Sequence, residues 1–195
     1  MALATVAGYE ITRPTADRVK ENIFNILANE LPGARVLDLF SGSGALGIEA
    51  LSRGAHHVTF VENHPEAISA LRDNLQKLRV SPEAFRVVSL NVSMFLARPM
   101  QGAEEFAASI DLVFADPPYE STWYNEAIGA LQASGLCTDE CRVLLEMAAP
   151  RAKPSPRDPP AASTLPFFPG WKMTDSRTYG KTRIEFWERA SLTVE

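Results

Sequence analysis

Residues 35–47 read RVLDLFSGSGALG, an apolar run followed by glycines at 42, 44 and 47. G-x-G-x-x-G between an apolar run and a helical pattern leaves little choice of shape. The chain must form a strand, a tight turn and a helix whose first turn faces a ligand. Glu62 closes the next apolar run, at the spacing where dinucleotide-binding folds place an acid for the ribose hydroxyls. An oxidoreductase using NAD is therefore one reading, and a structural turn where a helix packs close to a strand is another. Asp38, inside the first apolar run, separates the cofactors. A pyrophosphate is anionic and opposes a neighbouring carboxylate. The amino-acid end of S-adenosylmethionine carries an ammonium and a sulfonium, which the carboxylate favours.

The rest of the chain alternates in the same way. Helical spacing of Val19, Ile23, Ile26 and Leu27 predicts a helix over 15–29, with Thr15 as N-cap after Pro14 and Pro32-Gly33 as its stop. Apolar runs predict strands at 35–40, 57–62, 85–89, 111–115 and 142–147. Helical patterns lie between them, to about residue 53, over 65–78 and over 127–133. Continuous apolar strands alternating with helices predict an α/β fold, a mostly parallel sheet covered on both faces. Residues 150–169 are proline-rich and read as an irregular connection. The segment WKMTDSRTYGKTRIEFWER then gives two strands around Tyr179-Gly180, a closing antiparallel hairpin. At 195 residues one domain, 1–195, accommodates all of it.

Composition narrows the classes. Of the residues 46% are hydrophobic, no run has the length of a bilayer span, and the start MALATVAGYE lacks the basic-then-apolar pattern of a signal peptide. A cytoplasmic protein without membrane contact is expected. Cys137 and Cys141 are too few for a disulfide framework and lack partners for zinc, while His56, His57 and His64 read as surface residues, so no metal is expected. The net charge of −5 is unevenly spread. Residues 104–146 hold nine acids and one base, whereas 151–189 hold eight bases and four acids. The second stretch is either a polyanion-facing edge or a solvated one.

The segment 111–119, DLVFADPPY, carries the chemistry. Its acid follows a strand at the carboxyl edge of the sheet, where open α/β folds bind ligands. An exocyclic base amine is a poor nucleophile because its lone pair is delocalised into the ring. Hydrogen bonds from that amine to the Asp116 carboxylate and the Pro117 carbonyl would push the nitrogen toward a tetrahedral shape. Proline's fixed φ pre-aims that carbonyl. Tyr119, after Pro118, offers a face on which an extruded base stacks.

These residues resemble two motifs of known families. DLFSGSGALG is similar to the first motif of class I S-adenosylmethionine-dependent methyltransferases, and DPPY to the (N/D/S)PP(Y/F/W) signature of amino-methyltransferases. More closely, RPTADRVKENIFNIL (13–27), DLFSGSGALGIEALSRGA (38–55) and VFADPPY (113–119), in this order, resemble the RsmD family, which methylates N2 of a guanine in bacterial small-subunit ribosomal RNA. The resemblance implies a Rossmann-like, seven-stranded fold with a C-terminal hairpin. It implies S-adenosylmethionine at Asp38, Phe40, Ser41, Gly42, Ser43 and Gly44, with Glu62 and its neighbour Asn63 at the ribose and Asn91 with Val92 at the adenine. Arg13 and Thr15 would lie on the cofactor side, and Asp116, Pro117, Pro118 and Tyr119 would form the catalytic motif. The expected substrate is ribosomal RNA in a small-subunit assembly particle, met by a monomer. A DNA or other-RNA amino-methyltransferase shares every catalytic feature.

The chain departs from that family's pattern in two places. Family members carry a basic, glycine-containing segment before Arg-Pro-Thr, associated with docking on RNA. Here none of the twelve residues before Arg13 is Lys or Arg. Either the chain is truncated or mis-started, or RNA affinity comes from elsewhere, such as the basic tail. The proline-rich 150–169 stretch is also longer and looser than the pattern.

Overall fold

The computed structural model describes residues 14–97, 109–117, 123–149 and 170–190, with the side chains of 14–17 and 123–127 excepted. Arg13, Pro118, Tyr119 and the stretches 1–13 and 150–169 lie outside the described residues.

Among the described residues five helices and seven strands follow one another: α1 (Pro14–Ile26), β1 (Arg35–Leu39), α2 (Ala45–Ser52), β2 (His57–Glu62), α3 (Pro65–Lys77), β3 (Phe85–Ser89), α4 (Val92–Ala97), β4 (Ile110–Ala115), α5 (Trp123–Ala133), β5 (Cys137–Ala148), β6 (Trp171–Tyr179) and β7 (Thr182–Arg189). A single 3₁₀ turn at Pro82–Ala84 leads into β3. The strands form one sheet in the order β3-β2-β1-β4-β5-β7-β6. Every neighbouring pair from β3 to β5 is parallel, and β7 runs antiparallel to both β5 and β6. This is the mostly parallel, seven-stranded sheet with a C-terminal hairpin that the sequence predicts.

Each face of the sheet has its own apolar cluster because strand side chains alternate. Val36, Val58, Phe60, Leu112, Phe114, Leu144, Ile184 and Phe186 meet α1, α2 and α3 through Ile23, Phe24, Leu27, Ile48 and Leu71. Leu37, Leu39, Val61, Val113, Val143 and Leu145 meet α4 and α5 through Phe95, Leu96, Ile128 and Leu131. Being covered on both sides explains why these strands read as unbroken apolar runs.

Three local differences from the sequence reading have plain causes. Helix α1 opens at Pro14, so Thr15 lies in its first turn rather than at its cap. Proline suits a first turn, where its missing N–H would find no helical partner anyway. Helix α4 was not foreseen: VSMFLA is too short to show a period, and its start is marked only by Asn91, whose Oδ1 accepts from the Met94 N–H at 2.7 Å. Strand β5 begins at Cys137 rather than 142, across a break in register where Ile110 pairs with Cys137 but Leu112 with Arg142. The polar run Thr138–Glu140 at that bulge hides the strand from a hydrophobicity reading.

Phe114 is fully buried in the centre of the sheet, its ring edge-on to Phe24 of α1 at 5.8 Å between centroids. Phe114→Ala is expected to lower stability by about 3–5 kcal/mol, read from urea unfolding with an unchanged m-value.

Candidate active site

The strand order turns back beside β1. From β1 the chain builds outward through β2 and β3, then returns so that β4 lies on β1's other side. At such a switch point the loops after the two central strands diverge and leave a crevice at the carboxyl edge. Leu39 of β1 pairs with Ala115 of β4, so the next residues along each strand, Phe40 and Asp116, flank that crevice. The glycine loop and the Asp-Pro pair thus come from neighbouring strands at one level of the sheet.

Two carboxylates hold the glycine loop. Glu62 Oε2 accepts the Gly42 N–H at 2.8 Å, and its Oε1 accepts the N–H groups of Asn63 and His64 at 2.8 and 2.9 Å. Asp38 Oδ2 accepts the Gly47 N–H at 2.9 Å, satisfying a donor in the first turn of α2 that has no intrahelical partner. From α3, the buried Asn74 donates through Nδ2 to the Ser43 carbonyl at 3.0 Å. The glycines are required by this geometry. Gly42 and Gly44 lie at φ 54° and 85°. A Cβ on Gly47 would stand 2.3 Å from Phe60 and 2.9 Å from Asp38 Oδ2. At Gly42 the same atom meets nothing within 4 Å among the described residues, which leaves that side of the backbone open to a ligand.

The remaining residues expected at the site are placed as follows. Phe40 has φ 61° and leans on the core face of α4 and α5. Ser41 and Ser43 are buried, and the Ser41 hydroxyl has no hydrogen-bond partner among the described residues. Asn63 is exposed beside Glu62. Asn91 caps α4 at the carboxyl end of β3, while the Val92 side chain is buried in the core, leaving only its backbone for a ligand. Asp116 is solvent-exposed and Pro117 buried.

The electrostatics are distinctive. Burial raises the Asp38 carboxyl to about 7, against the Gly47 N–H that favours the anion, with the Glu62 charge adding to the rise. Asp116 is pushed well above the usual carboxylate range by the protein packed round it, then by Glu146 and Asp38. Its open surface and crowded surroundings are those of a group on the floor of a cleft. Glu146 belongs to β5, where Leu145 pairs with Ala115, so it stands beside Asp116 on the adjacent strand. Three acids from β1, β4 and β5 therefore converge on one edge. No group of His, Cys, Asp or Glu suited to a metal ion occurs among the described residues.

Comparisons with known proteins give the family and the fold. Residues 2–188 match the family described as conserved hypothetical protein 95. Ribosomal RNA small subunit methyltransferase D of Escherichia coli is 33% identical over 177 residues, covering 91% of this chain and 79% of that protein. The chain belongs to this RsmD family. YlbH of Bacillus subtilis is 42% identical over 119 residues, 61% of this chain and 61% of YlbH's own length. The solved structure of Escherichia coli YhhF is 31% identical, with a TM-score of 0.75 over 97% of this chain and 92% of that one.

Two residues of this RsmD family member escaped the sequence reading. Asn74 looked like one polar residue among others on α3, and only its contact with the loop carbonyl reveals its use. Glu146 sat inside an apolar strand, RVLLEM, and a lone acid interrupting such a run was the available signal.

The raised Asp38 carboxyl has a consequence for stability. The folded protein keeps a proton that the unfolded chain, with its carboxyl at the ordinary value of 3.8, has already released. Asp38's contribution is therefore fully present below pH ~4 and is lost as pH rises through about 7. Thermal unfolding of the ligand-free protein from pH 4 to 8 is expected to show a smaller decline in Tm for Asp38→Asn than for wild type. Parallel curves would contradict it.

Proposed function

We propose that this protein transfers a methyl group from S-adenosylmethionine to the exocyclic N2 of a guanine in small-subunit ribosomal RNA. The observation that carries the reading is the placement of Asp116-Pro117 across the switch point from the Gly42–Gly44 loop. The name of the Escherichia coli relative supports the polymer, and the RsmD resemblance supports the base.

The residues present fit the cofactor. Glu62 holds three backbone N–H groups, and a carboxylate has about four lone-pair sites, so capacity remains for a ribose hydroxyl. The Ser41 hydroxyl, buried without a partner among the described residues, suits a ligand polar group. The open side of Gly42 lets a ligand approach the backbone. The acids crowding the crevice favour a cationic ligand over a pyrophosphate. When bound, S-adenosylmethionine supplies an electrophilic methyl group on a sulfonium that leaves as a neutral thioether.

The chain's own groups do the remaining work. Asp116 precedes a proline, which confines its backbone to extended conformations and fixes where the carboxylate points. It accepts one hydrogen of the guanine amine while the Pro117 carbonyl accepts the other, holding the nitrogen lone pair in line with the methyl carbon. As positive charge builds on nitrogen, the carboxylate stabilises it. Its high proton affinity, set by burial and by Glu146 and Asp38, then lets it take the proton that the methylated amine must lose. Tyr119 supplies the stacking face for the extruded base.

Asp116→Ala is expected to retain S-adenosylmethionine binding by calorimetry and to lose about 10²–10³-fold in kcat on ribosomal RNA. Undiminished turnover would remove Asp116 from the mechanism. Mapping methylated nucleotides in ribosomal RNA from cells with and without the gene is expected to show one guanine losing its N2 methyl. A lost methyl on adenine or cytosine, or on DNA, would replace the substrate.

A further inference from the structure

Strand β7 is the antiparallel member of the sheet, and its position has a consequence for β6. Because β6 pairs antiparallel with β7, which pairs antiparallel with β5, β6 runs in the same direction as the catalytic strands. It therefore ends at the same carboxyl edge, and the Gly180-Lys181 turn overhangs that edge. The turn is fixed there: the Ala149 N–H, just past the end of β5, donates to the Lys181 carbonyl at 2.8 Å.

The registers set the spacing. Asp116 stands beside Glu146, Glu146 pairs with Ile184, and Ile184 pairs with Arg177. These four residues form a row across β4, β5, β7 and β6, one level of the sheet deep. With strands about 4.8 Å apart, Arg177 is about 14 Å from Asp116 along the row. Paired residues share a face, so Arg177 points to the side where Ile184 meets α1, α2 and α3. Tyr179 packs on that same cluster.

The basic character of the hairpin is concentrated at this end. Arg183 is turned inward onto Glu185 at 3.0 Å, and Arg189 lies at the far end near Asp139. Lys172, paired with Glu188 in register, is also distant from the edge. Arg177 and Lys181 remain, both exposed. Arg177 gives its Nε–H to Asp175 at 2.8 Å and is also hydrogen-bonded to the Tyr179 side chain, surface contacts that hold the guanidinium, whose five N–H donors exceed what these two partners take. An arginine fork near the end of β6 and a lysine on the turn that follows it match phosphodiester oxygens.

We propose that Arg177 and Lys181 grip the phosphodiester backbone of the RNA strand flanking the target base, so that the β6–β7 turn feeds single-stranded RNA into the crevice at Asp116. This rests on the RNA reading above and adds to it the surface that docks the polymer. The cationic row-end sits far enough from the acids to attract phosphate and near enough for adjoining nucleotides of one strand to reach both. The exposed edge of β6 carries the docking element, whatever precedes Arg13.

The test is binding of a fluorescein-labelled single-stranded RNA, followed by anisotropy across a potassium chloride series, for wild type, Arg177→Glu with Lys181→Glu, and Arg177→Lys with Lys181→Arg. The charge-reversed protein is expected to bind roughly tenfold more weakly, with the slope of log affinity against log salt reduced by about 1.4, two contacts at ~0.7 each. The charge-conserving protein is expected to keep most of the wild-type slope. S-adenosylmethionine binding, measured on all three, is expected to be equal, which shows that the fold is intact. RNA affinity and salt slope unchanged by charge reversal would overturn the proposal while leaving the methyl-transfer reading standing. A wild-type protein that binds S-adenosylmethionine but neither this RNA nor a small-subunit assembly particle would overturn both.

Discussion

The arrangement depends on two carboxylates that accept backbone N–H groups from one loop. Asp38 holds the start of α2 through Gly47, and Glu62 holds the turn before it through Gly42. A glycine loop is entropically costly to order, because glycine has more backbone freedom to lose than any other residue. Fixing it at both ends, from two adjacent strands, converts a flexible segment into a rigid rim. The cost appears as charge. Asp38 is placed where water cannot reach it, and its neighbour Glu62 adds repulsion, so its proton is retained to about 7.

A cation in the crevice would offset that cost. Asp38, Asp116 and Glu146 belong to three different strands, yet the parallel registers bring their ends to one edge. Elsewhere, several charges are paired at the surface: Arg53 with Glu49, Arg177 with Asp175, and Arg142 with Glu30 and Glu188. Crowding of like charge in a crevice is a mark of a functional site rather than of a stability device. A positively charged ligand relieves it, and a doubly anionic one aggravates it. The choice between a sulfonium cofactor and a dinucleotide thus follows from the charge of the crevice rather than from the glycine spacing, which both share.

Much of this was legible in the sequence because local and global signals agreed. Apolar runs of 57–62 and 85–89 coincide with β2 and β3, and Gly42 and Gly44 of the loop lie where the backbone takes positive φ. The hairpin signal at Tyr179-Gly180 marked the turn between β6 and β7. What escaped was of two kinds. α4 and the first half of β5 are short or polar, and their existence follows from neighbours: a capping Asn91 and a bulge opposite Ile110. The roles of Asn74 and Glu146 depend on which residues from distant segments they meet, and strand registers are needed to see that. Within the hairpin the reading of a basic tail can be refined. Inward pairing of Arg183 and the remote place of Arg189 and Lys172 leave Arg177 and Lys181 as the exposed bases near the carboxyl edge among the described residues.

The most direct measurement is a crystal structure of the protein soaked with S-adenosylmethionine or a stable amine analogue of it. The methyl-bearing atom is expected in the crevice between the Gly42–Gly44 loop and Asp116, with the ribose against Glu62. A ligand bound elsewhere on the molecule, or one whose methyl-bearing atom points away from Asp116, would contradict the account.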